Sequence, residues 1–381
     1  MTYKLLFVTT VPVTIRSFLL PFIAYFRSLG WQVDGMAREI SADRECVAAC
    51  DRVYDVEWSR NIFDPRNLSA TSWVKQVVKE GNYDLVHVHT PIAAFVTRYA
   101  LKDLPTQVIY TAHGFHFYRG GSLFKNAIFL NLEKLAGAWT DYLIVINDED
   151  CTAAREHNFL PSERIFYTRG IGVDINYYAS HHTEAKSQVR QELNLATDDL
   201  LLLSIAEFAP RKRHRDLLNA FAKLSDLQQT DETQCVHLAL AGEGPIKTEI
   251  EQLAVELGVS EKVHFLGFRR DIPTLIQAAN AVILISQQEG LPRSIMEAMC
   301  LNTPVIGSDI RGTRDLLSDN CGLLVELGNT EAIARAMMRV REDSESLAKM
   351  AEKARIKIKD YDIEQIIEQY AAIYSLAINN K

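Results

Sequence analysis

Apolar positions along this chain fall into short runs, separated by longer stretches in which apolar and polar residues recur with a helical period. Leu5-Leu6-Phe7-Val8 is the first such run, and Leu200-Leu201-Leu202-Leu203-Ser204-Ile205 opens a second set. Short apolar runs bounded by polar turns fit strands buried on both faces, and the amphipathic stretches between them fit crossover helices. In the first half the pattern predicts strands near 3–9, 32–37, 84–89, 107–112, 141–146 and 165–169. It predicts helices there near 14–29, 67–80, 92–102, 122–137 and 149–157. In the second half it predicts strands near 200–205, 235–241, 262–266, 281–286, 304–308 and 322–326, and helices near 212–226, 246–257, 272–279, 294–301 and 331–341. This alternation is that of α/β proteins with parallel, doubly wound sheets.

The alternation breaks once. Residues 172–199 are polar and carry His181-His182 and several acids, which predicts a linker near 172–182. The expected division is an N-terminal Rossmann-like domain over 1–175 and a C-terminal one over 176–359. The segment 360–381 contains one amphipathic helix, near 362–378, with no strand after it, and is expected to pack back on the N-terminal domain. Ligands of such sheets bind at the carboxyl ends of the strands, so two such domains are expected to face each other across a binding cleft.

A length of 381 residues suits two domains, and 48% hydrophobic with 24% charged residues excludes a disordered or fibrous chain. A net charge of -8 excludes a general nucleic-acid binder. None of the six cysteines forms C-x-x-C, so a zinc knuckle is not expected, and the usage fits a reducing compartment. Cys46 and Cys50 lie four apart in a helical stretch and read as core or surface thiols. No run approaches the roughly 18 apolar residues of a membrane span, and the N-terminus lacks the form of a signal peptide. The expected location is the cytoplasm, with contact at a membrane surface left open.

The most informative stretch is Ser286-Gln-Gln-Glu289-Gly290-Leu291-Pro292-Arg293-Ser294-Ile-Met-Glu297-Ala-Met299, which follows a predicted strand. Gly290 permits a tight turn, Pro292 suits a helix start, and Ser294-x-x-Glu297 matches a capping box. A strand, a glycine turn and a helix N-terminus together favour a diphosphate, because free N–H groups and the helix dipole point at the anion. Glu289 and Glu297 flank the turn, where carboxylates can grip sugar hydroxyls; the plainer alternative is a solvated acid and a capping partner. After the first strand of the second half comes Glu207-Phe-Ala-Pro210-Arg211-Lys212-Arg213-His214-Arg215. Lys212, Arg211 and Arg213 at this first βα turn suit phosphate neutralisation, with a solvated basic face as the alternative. Gly242-Glu243-Gly244 follows the next strand and predicts a tight turn near the ligand; no dinucleotide fingerprint and no Walker motif occurs.

The first half is rich in histidine. His87 and His89 share one face of a predicted strand, and His113 and His116 follow the next strand. His113, beside Gly114 at a strand end, is singled out as a functional candidate. No carboxylate or cysteine completes a metal-ligand set around these histidines at familiar spacing, so no metal is expected. Asp148-Glu149-Asp150 has the form of a D-x-D metal loop but stands at a predicted helix start, and reads as a capping and dipole feature.

Glu289 to Glu297 is an E-x7-E pattern, and with Thr303-Pro304-Val305-Ile306-Gly307-Ser308-Asp309 it resembles the group 1 (family 4) retaining glycosyltransferases of the two-Rossmann-domain GT-B fold. The resemblance covers nearly the whole chain: His113-Gly114, the basic turn, Gly242-x-Gly244 and Arg169-Gly-Ile-Gly-Val-Asp174 fall in the family's order. Thr111-Ala-His-Gly-Phe-His-Phe117 and Asp309-Ile-Arg-Gly312-Thr-Arg-Asp315 look most like bacterial capsular, exopolysaccharide and O-antigen enzymes. The resemblance implies that Lys212 binds the donor diphosphate, Glu289 lies near the donor sugar, Glu297 holds the ribose hydroxyls, and His113 contacts the transferred sugar. It implies donor contacts from Arg211, Arg213, Gly242, Gly244 and the segment Gly290, Leu291, Pro292 and Arg293; the family's acceptor contacts do not carry over to the loop 11–16, and His89, His116 and Arg16 are this sequence's own candidates for the acceptor side. It departs at Glu207, where many relatives carry an arginine, and in Val11-Pro-Val-Thr-Ile-Arg16, where many carry a glycine pair.

The implied reaction is metal-independent, retaining transfer of a sugar from a nucleotide diphosphate, with UDP-hexose or UDP-N-acetylhexosamine as the expected donor and no other cofactor. The expected acceptor is a saccharide or a polyprenyl-linked saccharide. Two apolar stretches, Ile15 to Arg27 and Ser122 to Phe129, could touch the membrane, with packing on a sheet as the alternative for each. Two rival functions remain: a nucleotide-sugar epimerase or hydrolase on the same fold, and a non-catalytic nucleotide-sugar-binding subunit.

Overall fold

The computed structural model describes residues 2–59, 64–180, 184–227 and 234–380. It divides into two compact units: Met1–Gly172 with Ile363–Lys381, and Val173–Asp362. His181 and His182 lie outside the described residues.

The first unit is built on a parallel sheet of β1 (Lys4–Val8), β2 (Gln32–Ala37), β3 (Val53–Asp55), β4 (Leu85–His89), β5 (Gln107–Ala112), β6 (Tyr142–Val145) and β7 (Ile165–Tyr167). Its spatial order is β3-β2-β1-β4-β5-β6-β7. The second unit has β8 (Leu200–Ile205), β9 (Val236–Ala241), β10 (Val263–Gly267), β11 (Ala281–Leu284), β12 (Val305–Ser308) and β13 (Leu323–Val325), in the order β10-β9-β8-β11-β12-β13. The strand order therefore reverses between β1 and β4 in one unit and between β8 and β11 in the other. Those are the switch points at which doubly wound sheets bind ligands. Each sheet buries an apolar cluster on both faces, which explains why the strands read as unbroken apolar runs.

The C-terminal helix Ile363–Asn379 packs on the first sheet. Tyr370 lies against Phe22, and Tyr374 stacks on Phe26 with ring centroids 4.8 Å apart. The Tyr374 hydroxyl hydrogen-bonds His87 Nδ1, and the Tyr370 hydroxyl lies 3.3 Å from that of Thr111. Each aromatic body fills the apolar layer while its hydroxyl finds a partner, as buried tyrosines require.

Several expectations need correction. The linker predicted near 172–182 contains helix Ile175–Ala179, and the polar stretch after it contains helix Glu184–Glu192. Among the described residues, Tyr178, Val189 and Leu193, just past the second helix, are buried here, too few apolar positions to show a period among so many charges. β3 and helices Thr313–Leu317 and Ser344–Lys357 are not expected, and the first two are too short to establish a period, whereas the helical stretch around Cys46 is helix Arg44–Ala49. Of the two readings of Ile15 to Arg27, packing on the sheet holds, because Ile15, Leu19, Phe22, Ile23 and Phe26 are buried under the C-terminal helix and on the sheet. All six cysteines are free, and all but Cys235 are buried. Among the described residues no helix is long and apolar enough to cross a membrane.

Candidate active site

In the second unit the loops after β8 and β11 flank the switch point and are tied together through the backbone. Gln287 N–H donates to the Arg211 carbonyl at 2.7 Å, and Ser286 Oγ to the same oxygen at 3.3 Å. This contact brings Lys212 against Glu289, and their side chains form an ion pair only 12% and 10% exposed. The rest of the basic turn points elsewhere. Arg211 pairs with Glu207 at 2.9 Å, Arg213 with Asp216 at 2.7 Å, and Arg215 with Glu249. These are exposed pairs of the kind that contribute about 0–1 kcal/mol. The carboxylate at 207 thus engages the neighbouring Arg211, and Lys212 alone of the four cations meets the E-x7-E turn. His214, stacked on Phe208 at 4.4 Å, is lowered to about 4 by burial and then by Lys212, so it stays neutral near pH 7.

A third loop, after β12, completes the turn. Arg311 is 4% exposed, and its Nε donates to the Glu289 carbonyl at 3.3 Å. Next to it, Gly312 has φ +71°, and a Cβ there would stand 1.9 Å from the Gly290 carbonyl oxygen. Only glycine lets this loop approach Gly290 so closely. No role was assigned to Arg311 from sequence; the available signal was a cation beside a glycine just after a predicted strand. Gly242 and Gly244 show the same device. A Cβ on either would run into the carbonyl of Ala206 or Phe208, so these glycines seat the basic turn.

The expected capping box of Ser294 and Glu297 does not form. Helix Arg293–Cys300 starts after Pro292, and no side chain caps it. Glu297 turns inward instead and accepts from the Tyr178 hydroxyl at 2.7 Å and from Arg293 Nε at 2.9 Å. Burial raises the Glu297 pKa, while Arg293 and the Tyr178 hydroxyl act against that rise. Tyr178 was missed because it lies in the segment read as linker. The turn therefore gathers Lys212, Glu289, Arg311 and an uncapped helix start around Gly290, with Glu297 one helical turn further on. Such a set can receive a diphosphate and hydrogen-bond a polyol.

In the first unit, the ends of β1, β4 and β5 carry Thr10, Thr90 and His113. His89 Nδ1 lies 2.9 Å from His113 Nε2, and the two rings stack. His87 Nε2 hydrogen-bonds Thr111 at 2.8 Å. Burial holds His87 and His89 well below their ordinary value and lowers His113 to about 4. The three are neutral near pH 7 and act as hydrogen-bonding groups. Thr10 Oγ1 and Thr90 Oγ1 are 2.7 Å apart, and Thr90 holds φ +66°, strained for a β-branched residue. The Asp150 carboxylate accepts from Phe115 N–H at 3.1 Å and so anchors the segment after His113. His116 is exposed, with Phe129 beside its ring, and lines a cavity with Thr10 and Thr90. Arg16, expected on the acceptor side, pairs with Asp43 at 2.6 Å and does not line that cavity. His89 is buried and hydrogen-bonds His113. Among the described residues no three His, Cys, Asp or Glu side chains cluster so as to hold a metal.

A family model described as Glycosyl transferases group 1 matches residues 185–357, and one described as Glycosyltransferase Family 4 matches residues 18–168. EpsD, a glycosyltransferase-family protein of Bacillus subtilis (strain 168), is 32% identical over 380 residues, 98% of this chain and 97% of EpsD. The UDP-Gal:alpha-D-GlcNAc-diphosphoundecaprenol alpha-1,3-galactosyltransferase of Escherichia coli is 24% identical over 329 residues, 84% of this chain and 83% of its own length. The crystal structure of Anabaena HepE in complex with UDP shares the fold, with a TM-score of 0.79 at 22% identity, covering 98% of this chain and 100% of HepE. Both sheets, the turn chemistry and these likenesses agree: the chain belongs to the group 1 glycosyltransferases of the GT-B fold.

Proposed function

We propose that this protein transfers a hexose or N-acetylhexosamine from a UDP-sugar to a saccharide acceptor carried on a lipid, with retention of anomeric configuration and without a metal, at the cytoplasmic face of the membrane during bacterial surface polysaccharide synthesis. The observation that carries the reading is the buried Lys212–Glu289 pair beside Gly290 and the uncapped start of helix Arg293–Cys300. The UDP held by HepE and the diphosphoundecaprenol acceptor of the E. coli relative support the donor and acceptor classes.

In this reading the bond from the anomeric carbon to the β-phosphate oxygen breaks, and its electron pair leaves with UDP. Lys212 exchanges part of its pairing with Glu289 for the phosphate, and the helix N-terminus shares the charge; together they supply the positive field a divalent ion gives elsewhere. The acceptor hydroxyl attacks the same face, and its proton passes to the departing phosphate oxygen. Neutral His113 hydrogen-bonds the sugar. Glu289 as a covalent nucleophile is disfavoured by its pairing with Lys212. Glu297, held by Tyr178 and Arg293, takes the ribose.

A thermal-shift panel of nucleoside diphosphates and nucleotide sugars tests the donor site, with UDP and UDP-sugars expected to raise the melting temperature. No shift with any of them sinks the assignment. Product from a UDP-sugar and a lipid-linked acceptor, with its anomeric configuration read by NMR, tests retention, and unchanged turnover in EDTA tests metal independence. Donor consumption without acceptor would favour the epimerase or hydrolase, and tight binding without any turnover the non-catalytic subunit.

A further inference from the structure

The helix Leu123–Gly137 is apolar along most of its length, yet only Ala136 and Gly137 are buried. Leu123 is 88% exposed and Phe124 75%, and Ile128 is exposed beside them. A helix of this composition ordinarily spends its apolar side chains on a core. Here Phe129 and Leu132 instead wall a cavity of about 970 Å³, which Ile92, Phe95 and Trp139 also line. The volume lies at the upper end of the roughly 300–1,000 Å³ of small-molecule sites. Thr10, Thr90 and His116 supply polar groups at the strand ends of the switch point, and Asn67, Thr71 and the acids Asp64 and Glu133, paired with Arg66 and Arg98, also line it, so the cavity joins an apolar body to a hydrogen-bonding end.

The charge around the helix is equally one-sided. From Arg119 to Lys134 the chain carries Arg119, Lys125 and Lys134 against the single acid Glu133. Glu133 is already engaged by buried Arg98 at 3.0 Å. Glu149 also faces this stretch, its carboxylate accepting from the Arg119 N–H at 2.9 Å, which leaves Lys125 and Lys134 beside the exposed leucine and phenylalanine, a combination that suits an anionic bilayer surface. A free sugar would leave the apolar walls of the cavity uncovered, whereas an amphiphile covers the walls and meets the hydroxyls together.

Resting on the acceptor-side reading above, we propose that this cavity takes the apolar chain of a phosphate-bearing lipid acceptor, and that Leu123, Phe124 and Ile128 dock in the anionic membrane from which that lipid is drawn. The test uses the full chain, saturated with UDP so that the donor site is closed to phosphate probes. Farnesyl phosphate and dodecyl phosphate, each below its micelle concentration, are titrated by calorimetry; their ratio separates an isoprenoid from an acyl preference. Wild type is expected to bind at least one. Leu132→Trp and, independently, Ile92→Trp should weaken that binding at least tenfold while leaving the UDP thermal shift unchanged. Leu123→Asp with Phe124→Asp should keep the soluble probe but lose at least tenfold in affinity for phosphatidylglycerol vesicles. The proposal falls if neither probe binds wild type, or if both filled variants bind as wild type does. It falls too if the rim variant keeps vesicle binding, or if light scattering shows the rim pairing two copies of the chain. Absence of any UDP shift, with probe binding intact, would remove the donor assignment and leave this site standing.

Discussion

At the switch point of the C-terminal unit the strand ends hold ionised groups: Lys212 against Glu289, Arg311 on the Glu289 carbonyl, and Arg293 on Glu297. At the switch point of the N-terminal unit the strand ends hold neutral ones: Thr10, Thr90 and the histidines 87, 89 and 113. The two sheets share their strand order around the reversal, so topology alone does not set this difference. The side chains after each strand do. A diphosphate needs fixed positive charge, whereas a sugar hydroxyl needs hydrogen-bonding partners. The contrast teaches that one fold, used twice, is specialised by the residues in its βα loops.

The comparison breaks first at Lys212. Lys212→Ala should lower kcat on the order of 10²–10³-fold, the effect of removing one preorganised charge stabiliser. It should also shrink the thermal shift with UDP, while an unchanged kcat would place the diphosphate elsewhere. On the neutral side, the folded pKa values of His87, His89 and His113 lie below the unfolded value of about 6.5. The unfolded chain then binds more protons below that pH, so their contribution is complete above about 6.5 and fades as pH falls toward 4. Melting should drop several degrees between pH 7 and pH 5, and His89→Gln should flatten that slope. A pH-independent melting temperature would mean that these rings titrate normally.

A smaller effect is expected at Arg311, whose guanidinium ties the third loop to the turn. Arg311→Ala should weaken UDP about tenfold in calorimetry, since a buried hydrogen bond to a charged group contributes about 1.5–3 kcal/mol, part of it felt by the ligand. Smallest of the four is Tyr178→Phe. Glu297 keeps Arg293 in that variant, so affinity for uridine and UDP should fall together by a few-fold, with the phosphate contribution untouched. A loss confined to UDP would assign Tyr178 to the diphosphate instead.

Two apolar helices show how far a sequence reading reaches. Ile15 to Arg27 and Ser122 to Phe129 both suggested a membrane surface, with packing on the sheet as the alternative. In the folded chain Phe22 and Phe26 lie under Tyr370 and Tyr374, while Leu123 and Phe124 stand in solvent. Composition could not separate them, because the cover for the first comes from the far C-terminus. Tyr178 was illegible for a similar reason: its helix Ile175–Ala179 is one turn long and polar in its surroundings, and only contact with Glu297 gives it a role. Glu297 misled in the opposite way, since Ser294-x-x-Glu297 has the spacing of a capping box but a stronger pair of donors lies on the inner side.

The sequence by itself determined the two parallel sheets, because buried strands and crossover helices impose different apolar periods that survive in the linear chain. It also determined that Glu289, Gly290 and Glu297 form one local unit, since their spacing lies within a single turn and helix. Tertiary structure decided which of four neighbouring cations serves that unit. Lys212 reaches Glu289 because the loops after β8 and β11 are joined at Arg211, 76 positions from Gln287 along the chain. Arg311 and Gly312 arrive from a third loop by the same means. Local periodicity is written in neighbours, whereas charge pairing and burial are set by whichever distant segments the fold brings into contact.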